Sequence, residues 1–180
     1  MAQIKFPGLA EYERKLSRLS RAVKDEIAGK AIYAGADIVA DEVRSAIEGL
    51  PIVTGYGTPE HPLPGGVTAT QRQGLLDGFG IAPLRDDRGY LNVKLGFDGY
   101  NRTKTKQFPG GQPNQLVARG VESGTSWKLK HPFIRPAVTR SRKKAEAKMA
   151  EVLAQEMEKI MELGGGANEG RAAVVIYRQS

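Results

Sequence analysis

YLNVKLGF, residues 90 to 97, alternates Leu91, Val93, Leu95 and Phe97 with Asn92, Lys94 and Gly96. Successive side chains of a strand point to opposite faces, so this alternation predicts a strand with one buried and one wet face. Such a strand belongs in an antiparallel pair. IAPL, residues 81 to 84, reads as its partner, with Arg85-Asp86-Asp87-Arg88-Gly89 as the turn. A small sheet with one apolar face needs cover, and two long amphipathic stretches can supply it.

The first stretch runs from about Ser20 to Gly49. It carries Val23, Ile27, Ala31, Ala34 and Ile38 on one face, with Ile32, Val39, Val43 and Ile47 beside it. Ala28, Gly29, Ala31, Ala34, Gly35 and Ala36 are small enough to let another element approach closely, and Gly49 with Pro51 ends the helix. The second stretch, 136 to 163, opens on Pro136 in its first turn. It buries Ala145, Met149, Val152, Leu153 and Ile160 and stops at Gly164-Gly165-Gly166. Shorter helices are expected around Leu9, Tyr12, Leu16 and Leu19, within QRQGLLDGFG, and within QLVARGVESG before Gly124. The fold class expected is α+β: long N-terminal and C-terminal helices packed on a small antiparallel sheet, with long loops. Residues 1–163 form one domain in this reading. Residues 164–180 form a flexible or partner-docking tail whose AVVIY segment, 173 to 177, has strand character.

Residues 51 to 70 hold four prolines and four glycines, too punctuated for a helix or a central strand. Residues 98 to 114 form a second polar loop. Long loops of this kind are commonly functional.

The chain has no cysteine, which excludes disulfides, thiolate metal sites and a cysteine nucleophile. It has no apolar run of membrane-spanning length and no secretory leader pattern at Met1, so a soluble, intracellular protein is expected, with no membrane partner. His61 and His131 lie in proline-containing loops without metal-pair spacing. Gly78-Phe79-Gly80 and Pro109-Gly110-Gly111 lack the context of a phosphate loop. Asp86, Asp87 and Asp98 read as turn residues. Ser123 and Ser126 lie near Lys128 and Lys130, but Gly-x-Ser-x-Gly is missing. No catalysis, cofactor or metal is expected.

The net charge of +7 is unevenly placed. Residues 101 to 144 carry 11 basic groups against Glu122 alone, while the rest of the chain is nearly balanced. Arg140, Arg142, Lys143 and Lys144 also sit near a helix N-terminus, where the macrodipole prefers acids. The partner this implies is nucleic acid or an acidic protein surface.

VESGTSWKLKHPFIRPA, 121 to 137, overlaps that segment. Pro132 and Pro136 fix the backbone, while Phe133 and Ile134 serve either as an anchor for a partner or as a staple into the chain's own core. Trp127, flanked by polar groups, is the better interface candidate. Lys128 and Lys130 read as exposed charges whose reversal changes stability by less than about 1 kcal/mol.

The order of short motifs resembles the tail-completion, or head-to-tail joining, family of long-tailed phages and prophages. The matching pieces are Pro51 to Gly55, Gly74 to Phe79, Glu122 to Thr125 and Pro132 to Ala137, and the likeness covers about residues 5 to 163. The inserted loop 56 to 70 and the chain beyond Leu163 depart from the family pattern. The resemblance implies a structural neck component in the virion, assembled in the host cytoplasm as a homo-oligomeric ring, with a hexamer as first guess. It further implies neighbouring neck and tail-tube proteins as partners, DNA passing transiently through the channel, and no catalysis. The interface residues expected are Lys104, Lys106, Glu122, Thr125, Trp127, Lys128, Lys130, Phe133 and Arg135. The alternative is a small basic DNA-binding or regulatory protein, although no helix-turn-helix, zinc-finger or RNA-binding signature is present.

Overall fold

Helix α1, Arg21–Glu48, buries two sides: Ala40, Val43 and Ile47, at spacings of three and four, join the central core, while Ile27 and Ala31 are buried on the opposite face. The computed structural model describes residues 21–176, so the helix expected around Leu9 to Leu19 lies outside the described residues, as does Tyr177. The fold is α+β, with long helices towards both ends of the chain and small antiparallel sheets between them.

The main partner of α1 is the other long helix, α4, Ile134–Ile176. Glu42 meets Arg140 and Lys30 meets Glu156, each at 2.7 Å, so the two helices run antiparallel. Between these ion pairs Met149 lies over Gly35, where a Cβ would stand 2.5 Å from Met149 Cγ. A glycine is therefore required there for the helices to approach this closely. Lys159 and Lys30 both donate to Glu156 and hold its carboxyl down at about 2. The two long helices thus cover each other as well as sharing a core with the sheet residues Phe79, Leu95 and Phe97.

The helix also passes through Gly164-Gly165-Gly166 and includes residues 173 to 176, in place of the expected stop and strand. A glycine within a helix costs about 1 kcal/mol relative to alanine and does not by itself terminate the hydrogen-bond ladder.

The hairpin expected over residues 81 to 97 is present and begins two residues earlier, at Phe79, with two further changes. Strands β1 (Phe79–Ile81) and β4 (Leu95–Phe97) pair antiparallel, as do β2 (Arg85–Asp87) and β3 (Tyr90–Asn92). Arg85, Asp86 and Asp87 therefore belong to a strand, and the turn is Arg88-Gly89 alone. Both residues have positive φ, 59° and 89°, as a two-residue hairpin of matching twist requires. Asp86 and Asp87 hold this end together by accepting from Gly89 N and Asn92 Nδ2.

Second, the register slips by one residue. Ile81 faces Leu95 and Ala82 N donates to Lys94 O, yet Arg85 faces Asn92. Pro83 and Leu84 thus oppose Val93 alone, which is a β-bulge. Pro83 has no N–H to lose from the ladder. The freed N–H of Leu84 donates to the Tyr33 hydroxyl of α1 at 2.8 Å, and its side chain packs over Gly29. The bulge therefore ties the hairpin to the helix.

Helix α2, Ala69–Gly78, starts with a capping box: Thr68 Oγ1 accepts from Gln71 N, and Gln71 Oε1 accepts from Thr68 N. Its Gly74 and Gly78 are four residues apart, on one face, against a short antiparallel pair, β5 (Tyr100–Asn101) and β6 (Gln112–Pro113). Two buried asparagines fill that contact. Asn101 Nδ2 donates to Gln112 O, while Asn114 Nδ2 donates to Asp98 O across Gly78. Helix α3, Asn114–Ser123, follows and stops at Gly124 with φ 77°. The core between these elements gathers Leu75, Phe79, Val121 and Phe133 with Val43 and Ile47 of α1. Phe97 links Phe79 to Phe133 through ring centroids 5.1 and 6.3 Å apart.

Candidate docking surface

The proline-rich loop 51–68 is more ordered than its composition suggests. Its ends meet, with Val67 N donating to Pro51 O and Val53 N to Val67 O, both at 2.9 Å. Its middle reaches the segment after α3. Leu63 N donates to Trp127 O at 2.9 Å, and Leu129 N donates back to Leu63 O at 2.8 Å. Glycines make this approach possible: a Cβ at Gly57 would overlap Trp127 O, and one at Gly65 would stand 2.6 Å from His131 Cβ.

Thr125 to Lys128 forms a tight turn just after Gly124. Thr125 N donates to Lys128 O at 2.9 Å, and Thr125 Oγ1 accepts from Trp127 N at 3.3 Å. The backbone from 125 to 131 is therefore held from two sides while its apolar side chains face outward. Trp127 and Leu129 are each 55% exposed, and Tyr56, next to Gly57, is fully exposed. A tryptophan and a leucine left in water on a pinned backbone need only their side chains ordered when a partner covers them.

The nine expected interface residues divide into three groups. Glu122 and Phe133 serve the fold. Glu122 accepts from the backbone N–H groups of Phe133 (2.8 Å), Ile134 (2.9 Å) and Arg135 (3.2 Å), capping α4, and Phe133 is 4% exposed in the core. Glu122 thus supplies the negative charge that the basic start of α4 lacks. Lys128 also turns inward: its Nζ donates to Gly66 O at 3.0 Å, and burial lowers its pKa. It ties the two loops together and is not a free surface charge, so the small effect expected for reversing it is withdrawn.

Trp127, Lys130, Thr125 and Arg135 form the second group, exposed around the turn and the start of α4. The Arg135 side chain stays largely in solvent, 3.7 Å from Glu122. Lys104 and Lys106 form the third, exposed on the loop between β5 and β6. Leu129 and Tyr56 escaped the sequence reading because flanking lysines or glycines marked both as loop positions.

An open cleft of about 500 Å³ lies between α2 and β5, lined by Gln73, Asp77, Tyr100 and Arg102 among others. Among the described residues, no three His, Asp or Glu side chains gather as metal ligands, and no helix is long and apolar enough to cross a membrane. No protein-family model, curated protein or solved structure matches this chain.

Proposed function

We propose that this protein is a structural neck component that completes a phage tail and joins it to the head connector as part of a ring. The observation that carries the reading is the pinned turn Thr125–Lys128, which presents Trp127 and Leu129 to solvent beside Lys130. Aromatic anchors on a fixed backbone, with charge at the rim, suit protein docking. The motif stretches behind the resemblance give further support, because they pack together. Leu75 and Phe79 share a core with Phe133 and Ala137, and Glu122 caps the helix on which Ala137 lies. They form one scaffold beneath the docking turn.

Replacing Trp127 by Ala tests the reading. Head-to-tail joining in a complementation assay is expected to fall at least about tenfold, as for loss of a central anchor, with little dependence on salt. Reversing Lys130 to Glu is expected to weaken joining mainly at low salt, as exposed rim charges do. Normal joining by both folded variants would remove the docking surface from the account. The alternative, a small basic DNA-binding or regulatory protein, predicts normal joining and a regulatory phenotype instead.

A further inference from the structure

The exposed cations of residues 101 to 144 occupy surfaces of different chemistry. Around the docking turn, Lys130 stands beside exposed Trp127 and Leu129. The loop from Asn101 to Gln112 is unlike this. Arg102, Lys104, Thr105, Lys106, Gln107, Pro109 and Gly110 are exposed there, and its one large apolar side chain, Phe108, is partly covered.

The loop is also held in shape. β5 and β6 close its base, Asn101 Oδ1 accepts from Thr103 N at 2.9 Å, and Thr105 and Phe108 exchange backbone hydrogen bonds at 3.1 Å. Among the described residues, Arg102, Lys104 and Lys106 make no ion pair, whereas Arg140 and Arg142 are each paired with a glutamate. Three unpaired cations within five residues repel one another, and the loop carries no acid to relieve them.

Protein interfaces have apolar centres and are depleted in lysine. Phosphate backbones need little besides clustered Lys and Arg. We infer that the loop 102–111 is a sequence-independent contact for the phosphate backbone of nucleic acid, made by Arg102, Lys104 and Lys106, separate from the protein-docking turn at Trp127. This deepens the neck reading by assigning its DNA contact to one loop. Binding can nevertheless be measured on the isolated protein, so its failure leaves head-to-tail joining untouched.

The experiment is fluorescence anisotropy of labelled 20-mers, duplex and single-stranded, titrated with the full chain between about 50 and 200 mM salt. The wild type is expected to bind with log K falling linearly against log salt. Removing two contacts in K104A/K106A should reduce that slope by about 1.8 for duplex, or about 1.4 for single strands, and weaken binding at low salt at least about tenfold. W127A should bind like the wild type. Salt-dependent binding in either arm supports the contact and identifies the form it takes. No binding in either arm would overturn the inference, as would a K104A/K106A protein of unchanged circular dichroism that binds like the wild type. Equal competition by polyglutamate at matched charge would overturn it in favour of an acidic protein partner.

Discussion

Valine in place of Gly74 is expected to lower stability by about 4 kcal/mol, reducing the melting temperature by roughly 10 °C. The position has no room for a side chain: a Cβ would overlap Asn101 Cβ and stand 2.8 Å from Asn114 Oδ1. Asn101 is 4% exposed and Asn114 is 2% exposed, so displacing them breaks hydrogen bonds that water does not readily replace. Overpacking costs about 1–3 kcal/mol and unsatisfied buried polar groups about as much again, so the two together give the magnitude. Gly80 supplies the control, because a Cβ there meets nothing within 4 Å. Urea denaturation of both variants checks the expectation. Equal small losses at the two positions would show that α2 does not need its close contact with β5.

Alanine in place of Glu122 is expected to cost about 3 kcal/mol. Its carboxylate receives three backbone N–H groups at the start of α4, and its side chain is only 10% exposed. The first turns of that helix contain Arg135, Arg140, Arg142, Lys143 and Lys144 and no acid, so Glu122 is the negative charge available to the helix dipole there. Glutamine keeps an acceptor oxygen but loses the charge, and should fall between alanine and the wild type. Denaturation of the two variants separates these contributions. A glutamine variant as damaged as alanine would mean that the charge is the larger part of the cap. An alanine variant as stable as the wild type would mean that water replaces the cap at no cost.

These positions show where sequence reading succeeds and where it stops. The alternation of Leu91, Val93, Leu95 and Phe97 is a local signal, and the stripe of α1 is another, so hairpin and helix were legible. The bulge was not, since it depends on the Leu84 N–H finding the Tyr33 hydroxyl 51 residues away. Glu122 was noticed as part of a motif but read as an interface residue, because its hydrogen-bond partners lie 11 to 13 residues further on, beyond any capping-box spacing. Lys128 looked like Lys130 for a similar reason. Only the folding of loop 51–68 against the turn brings Gly66 O to its ammonium.

The docking turn depends on the same tertiary fact. Trp127 could be flagged from its polar neighbours, whereas the pinning of its backbone by Leu63 requires a loop that composition alone described as irregular. Lys104 and Lys106 were legible as charge, and their separation from the apolar surface became visible only when β5 and β6 closed the loop that carries them.

The neck reading is tested most directly by negative-stain electron microscopy of the purified full chain mixed with phage tails that lack this protein. The account predicts rings seated on one end of the tails, with that end bare when W127A is used instead. Monomers that leave the tail ends bare, under conditions in which the tails still accept wild-type neck extract, would contradict it.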